Sequence, residues 1–214
     1  MTRLLVVTAV EAERAAIVAA LPAPPDRIEV IVGGVGPAAA AAATSAALAG
    51  GSSGRSYSLV LSAGIAGGFA PLGPGDIAVA SSIAFADLGA ETAEGFVPVS
   101  TLGFGRDSYA VDPQLAIELA DRTGGHLGTV LTVATVTGSS VTADRLAGRF
   151  ADVVAEAMEG AGVAAAAVRH GVAFGEVRAI SNAVGPRDRD AWQIPTALTA
   201  LGRALAGVAA GWTP

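Results

Sequence analysis

Three polar side chains stand out by where they fall along the chain. Glu13 comes shortly after the apolar run Leu4 to Thr8, Glu159 follows the run Val153 to Met158, and Asn182 closes Val177 to Ser181. Short runs of this kind read as buried strands. In an α/β sheet, ligands gather just beyond the carboxyl ends of the strands. Carboxylates there accept hydrogen bonds and take up protons, and a carboxamide both donates and accepts. Glu13 also falls in the first turn of a predicted helix, where the dipole favours an ionised acid. Taken one at a time, each residue has an ordinary explanation: a helix-terminal acid for the glutamates, a strand-ending turn for the asparagine.

Other motifs do not hold in context. Gly34-Val-Gly-Pro-Ala-Ala39 matches a dinucleotide-binding turn, but that turn expects an acid about 20 residues on, and none occurs between Glu29 and Asp76. It reads instead as a tight strand-to-helix turn that needs glycine. Gly50-Gly-Ser-Ser-Gly54 has the nucleophile-elbow pattern, yet it leads from a helix into a strand rather than the reverse, and it reads as part of a surface loop. His126 and His170 are 44 positions apart without clustered acids, which argues against a metal site. His170 closes a predicted helix, where it suits the dipole.

Composition excludes whole classes of function. The chain has 214 residues, no cysteine and no lysine, its 13 basic residues all being arginine. Disulfides, thiol nucleophiles, Schiff bases and a lysine-bearing P-loop are therefore out. A net charge of −6 opposes binding to a phosphate backbone, so no nucleic-acid partner is expected. Much of the 52% hydrophobic content is alanine, and it offers no run of about 18 strongly apolar residues, so no membrane association is expected. The N-terminus shows no export signal, and a cytoplasmic location is expected.

The elements that must position these side chains alternate. Strands are predicted at Leu4 to Thr8, Ile28 to Val32, Ser58 to Ser62, Asp76 to Phe85, Thr129 to Ala134, Val153 to Met158 and Val177 to Ser181. Helices are predicted at Glu11 to Leu21, Pro37 to Ala49, Pro113 to Thr123, Ala143 to Phe150, Gly160 to His170 and Thr196 to Ala210. The segment Ala86 to Arg106 mixes strand and turn character. The pattern predicts one α/β domain over residues 1–214, with a mixed, mostly parallel central sheet and helices on both faces.

Four ordered segments resemble the purine nucleoside phosphorylase and nucleosidase family. They are Thr8-Ala-Val-Glu-Ala-Glu13; Ser62-Ala-Gly-Ile-Ala-Gly-Gly68 with Gly75-Asp-Ile-Ala-Val79; Ala157-Met-Glu-Gly-Ala161; and Arg178-Ala-Ile-Ser-Asn182. Val32-Gly-Gly-Val-Gly-Pro37, Phe85 to Thr92 and Ser181 to Arg189 with Trp192 look most like the branch that hydrolyses futalosine. That resemblance implies cleavage of a ribosyl N-glycosidic bond in the futalosine route to menaquinone, with release of hypoxanthine. It assigns Glu13 to activating water, Glu159 to the ribose hydroxyls and Met158 to packing beneath the sugar. Ala66, Gly67 and Ser181 fall in the base and nucleophile pocket. Asn182 suits a 6-oxopurine, its NH₂ donating to O6 and its carbonyl accepting the N7 proton as the base leaves. The tail on the 5′ side of futalosine asks for an apolar wall, for which Phe85, Phe104 and Trp192 are candidates, and for a cation, Arg187 or Arg189. The resemblance also implies a homo-oligomer and calls for neither metal nor organic cofactor. Alternatives are an inosine or methylthioadenosine nucleosidase, and a non-catalytic nucleoside-binding protein.

Overall fold

The computed structural model describes residues 2–22, 27–50 and 56–212. Its first strand, β1 (Thr2–Thr8), shows why the apolar runs lack polar alternation. Leu4 and Val6 face one core and Leu5 and Val7 the other, all essentially solvent-free. Successive side chains of a strand point to opposite faces, so both faces must be covered. Helices α1 (Glu11–Ala20), α3 (Pro113–Thr123) and α6 (Ile194–Gly211) pack on the first face, while α2 (Pro37–Ala49) and α5 (Gly160–His170) pack on the second. The remaining helix, α4 (Ser140–Arg149), starts three residues earlier than expected, at a turn where Ser139 accepts a hydrogen bond from Thr142 N–H.

The other strands are β2 (Ile28–Val32), β3 (Ser56–Gly68), β4 (Ile77–Phe85), β7 (Ser108–Ala110), β8 (His126–Thr132), β9 (Val153–Ala157) and β10 (Ala173–Ala183). The main sheet has the order β10-β4-β8-β9-β3-β1-β2, with β7 on β4. β10 also pairs with β3, so β3, β10, β4, β8 and β9 close into a ring with β1 and β2 as its extension. Pairing is mostly parallel; β10 with β4, β3 with β9 and β4 with β7 are antiparallel. A separate hairpin, β5 (Gly89–Thr92) and β6 (Gly95–Pro98), occupies the mixed segment.

Two elements differ from expectation. β3 does not end at Ser62 as predicted but continues through the glycine-rich segment to Gly68. Its glycines make room for side chains from elsewhere, as the site shows. α6 does reach the length and hydropathy of a membrane span, contrary to the composition argument. Its buried residues Ala197, Leu201, Leu205 and Val208 belong to the core shared with α1 and β3.

Gly50 ends α2, whereas the rest of the expected surface loop and elbow pattern, residues 51–55, lies outside the described residues.

Candidate active site

A cavity of about 400 Å³ opens where β1, β3, β9 and β10 end. Glu13, Ala66, Gly67, Met158, Glu159, Ser181 and Asn182 all line it, together with Arg187 and Trp192. These side chains come from four separate parts of the chain, and the ends of the sheet bring them together.

Glu13 is 3% exposed and accepts hydrogen bonds from three backbone N–H groups. Ala9 and Val10 donate to Oε2 at 2.9 and 3.2 Å, so the residue does cap its own helix. Ile65 of β3 donates to Oε1 at 2.9 Å, which ties the carboxylate to the sheet as well. The neighbouring Gly64 permits this approach. A Cβ there would sit 2.5 Å from Glu13 Oε1 and 2.7 Å from Arg178 Nη1.

Glu159 stands at the start of α5 without capping it. Its Oε1 accepts from Gly36 N–H at 3.2 Å, and its Oε2 lies 3.1 Å from Arg178 Nη1. Gly36 has φ 90°, as the tight glycine turn requires, and the turn thereby presents its amide to a carboxylate. Arg178 is buried and fully engaged: Nε donates to Glu176 Oε1 at 2.8 Å and Nη2 to Ser62 Oγ at 2.9 Å. Burial opposes the charge on Arg178, but Glu176, Glu159 and Glu13 outweigh it and raise the pKa. Complete burial pushes Glu176 up to about 7, against the pull of Arg178, and its Oε2 has no hydrogen-bond partner.

Asn182 is half-buried at the end of β10. Its Oδ1 accepts from Ser181 Oγ at 2.7 Å and its Nδ2 donates to the Ala183 carbonyl at 2.9 Å. Ser181 Oγ also lies 3.2 Å from the Ala66 carbonyl, its single hydrogen shared between the two acceptors, which sets the amide against β3. Across the cavity, Glu156 of β9 accepts from Thr137 N–H at 2.8 Å and from the Thr137 hydroxyl. Burial raises its pKa, those two hydrogen bonds opposing the rise.

The expectation that Phe85 and Phe104 wall this cavity is corrected. Neither lines it: Phe85 packs against the core beneath β4, and Phe104 is 84% exposed. Arg187 and Arg189 both lie over the Trp192 ring, at 5.3 and 5.9 Å, but only Arg187 lines the cavity. Arg14 is turned away and pairs with Glu11. His170 does end α5, and its Nε2 is 2.9 Å from Ser45 Oγ of α2. Sequence reasoning missed Arg178, Glu176 and Glu156. The available signal was a charged residue interrupting an apolar strand. Among the described residues, no group of three or more His, Asp or Glu side chains is placed to hold a metal ion.

The family model of the phosphorylase superfamily matches residues 25–210. The chain belongs to that superfamily. Within it, the chain is 51% identical over 230 aligned residues to the futalosine hydrolase of Streptomyces coelicolor, covering 99% of this chain and 98% of that one. It is 51% identical over 189 residues to the futalosine hydrolase of Acidothermus cellulolyticus, covering 86% and 76% of the two chains. The superfamily fold extends to solved structures. The 5′-methylthioadenosine/S-adenosylhomocysteine nucleosidase of Colwellia psychrerythraea in complex with adenine superposes with a TM-score of 0.82 at 19% identity, covering 98% of this chain and 95% of that one. This phosphorylase-superfamily sheet accounts for the clustering of Glu13, Glu159 and Asn182 at one edge.

Proposed function

We propose that the protein hydrolyses the N-glycosidic bond of futalosine, releasing hypoxanthine and dehypoxanthine futalosine in the cytoplasmic route to menaquinone. The two futalosine hydrolases at 51% identity support this substrate. The observation that carries the reaction type is Glu13, an acid held by three N–H donors at the wall of a cavity it shares with Glu159 and Asn182.

The glycosidic bond breaks through an oxocarbenium-like sugar, so the site must grip the sugar, steady the departing base and supply a nucleophile. Glu159, braced by Gly36 and Arg178, accepts hydrogen bonds from the ribose hydroxyls, and Met158 packs beneath the ring. Glu13 orients a water molecule and takes its proton as the water attacks the anomeric carbon. Asn182 donates to O6 as negative charge gathers on the leaving hypoxanthine; N7, bare in the nucleoside, takes its proton from solvent as the bond breaks, and the Asn182 carbonyl then accepts from N7–H. Water rather than phosphate is the nucleophile, because each terminal and bridging nitrogen of Arg178 already has a protein partner and Glu13 repels an anion. Arg187, stacked on Trp192 at the cavity mouth, is the candidate clamp for the carboxylate of the substrate tail. A homo-oligomer would cover the exposed Phe104.

The test is incubation with futalosine, inosine and methylthioadenosine in phosphate-free buffer, with the freed base identified by chromatography. Hypoxanthine from futalosine is the expected product, and Glu13→Gln abolishes its release. Adenine as the preferred product, or turnover only with phosphate present, contradicts the assignment. Tight binding without turnover, with Glu13→Gln indifferent, would favour a nucleoside-binding protein instead.

A further inference from the structure

Glu176 does not line the cavity, and nothing in the chemistry above uses it. It is completely buried on β10, with one oxygen on Arg178 Nε and the other, Oε2, without a hydrogen-bond partner. A carboxylate sealed in the core is costly unless its charge is answered. Space is nevertheless kept for it. A Cβ on Gly160, the first residue of α5, would collide with Glu176 Oε2, so the acid is wedged between β10 and the residue that follows Glu159 in the chain.

The contacts of Arg178 show what an acid in this place does. A guanidinium is planar, so fixing two of its nitrogens fixes the third. Glu176 holds Nε at 2.8 Å and Ser62 holds Nη2 at 2.9 Å, and these two residues are paired across β10 and β3. Nη1 is thereby left 3.1 Å from Glu159 Oε2. Gly64, the register partner of Arg178, leaves the guanidinium its room, since a Cβ there would sit 2.7 Å from Nη1.

We propose that Glu176 is a positioning residue: its ionised carboxylate holds the plane of Arg178, and through Nη1 keeps Glu159 aimed at the sugar hydroxyls as the glycosidic bond breaks. The inference rests on the assignment of Glu159 to the ribose in the proposed function. Hydrogen bonds to a sugar hydroxyl strengthen in the transition state, so a loosened Glu159 costs rate. An ionised carboxylate holds Nε by a charge-assisted bond, roughly twice as strong as that to a neutral acid. Protonation of Glu176 therefore slackens the brace. Burial pushes this group up to about 7 against the pull of Arg178, and Glu159 at the head of α5 adds to the rise. Glu13 reaches the cluster through Arg178. The neighbouring strands oppose this stretch of β10 with the uncharged Ser62, Ala78 and Val79, while α3 and α6 pack on its other face with Val177 and Ala179.

The test is kcat of the parent and of the isosteric variant Glu176→Gln from about pH 5.5 to about pH 8.5. Futalosine, inosine and methylthioadenosine serve as substrates because they share the ribose hydroxyls. Glutamine keeps an oxygen for Nε but carries no charge at any pH, so the variant behaves as the protonated parent. The ratio of parent to variant kcat is expected to climb from near unity at the acid end to about tenfold or more at the alkaline end, the scale of one hydrogen bond to a charged group. Changes common to both proteins cancel in that ratio. A ratio constant with pH, the mark of a merely structural role, overturns the proposal. So does a parent whose kcat fails to rise between about pH 6 and about pH 8, a result that needs no variant to fold. A pH-dependent ratio seen only with inosine or methylthioadenosine leaves this inference standing and removes the futalosine assignment. Futalosine cleavage with a constant ratio does the reverse, and no turnover of any of the three overturns both.

Discussion

Arg178 Nη1 lies 3.1 Å from Glu159 Oε2, so the acid assigned to the sugar is braced from beneath by a cation that is itself sealed from solvent. The same guanidinium serves Glu176 and Ser62. Removing one member of a buried ion pair strands its partner's charge and costs about 3–5 kcal/mol. Arg178→Gln is therefore expected to lose stability on that scale in denaturant unfolding. The double variant Arg178→Met, Glu176→Leu recovers part of the loss, because it removes both charges from the apolar interior.

Gly64 is the position where one added methyl group would disturb both Glu13 and Arg178. Gly64→Ala is expected to lower kcat by about a hundredfold or more, on the scale of losing a general base, with far-ultraviolet circular dichroism unchanged. Gly148→Ala in α4 is the contrasting variant. Its Cβ meets nothing within 4 Å, and removing a helical glycine raises stability by about 0.5–1 kcal/mol.

Glu176 links stability to pH with an unusual sign for an acid. Its folded-state pKa, about 7, lies above the ordinary value of 4.5, so between these limits the folded chain holds a proton that the unfolded chain has lost. Its contribution is present in full below about 4.5 and is lost as pH rises through 7. Thermal unfolding of the parent and of Glu176→Gln across this range should show the parent's Tm falling more steeply with pH. Parallel curves would argue against a raised pKa.

Asn182 cannot deliver a proton, whereas an aspartic acid can give one to the purine N7. Asn182→Asp is expected to shift the ratio of kcat/KM for methylthioadenosine over futalosine upward by at least about tenfold. An unchanged ratio would detach the residue from base choice.

Arg187 offers a guanidinium held over Trp192 at the cavity mouth. Arg187→Ala should raise KM about tenfold for futalosine, whose tail carries a carboxylate, and leave KM for inosine unaltered. Equal changes for both substrates would remove the clamp.

Helix starts and strand positions were legible because their causes are local. Pro37, Pro113 and Gly160 open α2, α3 and α5 where a first-turn proline or the end of an apolar run predicts. Glu13, Glu159 and Asn182 were legible as a candidate set because each follows a strand, and strand ends converge in this class of sheet. The predicted end of β3 at Ser62 fell short because glycine weakens a strand pattern in any short window. Its use here is to admit Glu13 and Arg178, residues 51 and 114 positions from Gly64. Phe85 and Phe104 were placed in the cavity on chemical type alone, and side-chain type does not say which face of a strand or loop turns inward.

By itself, the chain's order of residues determined the alternation of strands and helices, the absence of lysine and cysteine chemistry, and the acids and amide at the strand ends. Backbone preference and the period of burial act over a few neighbouring residues, and they can be read there. Only the tertiary structure decided that one buried arginine joins Glu159 and Glu176, and that Glu156 and Asn182, each paired with Gly67, line one cavity. Those relationships arise from desolvation and register between strands distant in sequence, which no short stretch of the chain contains.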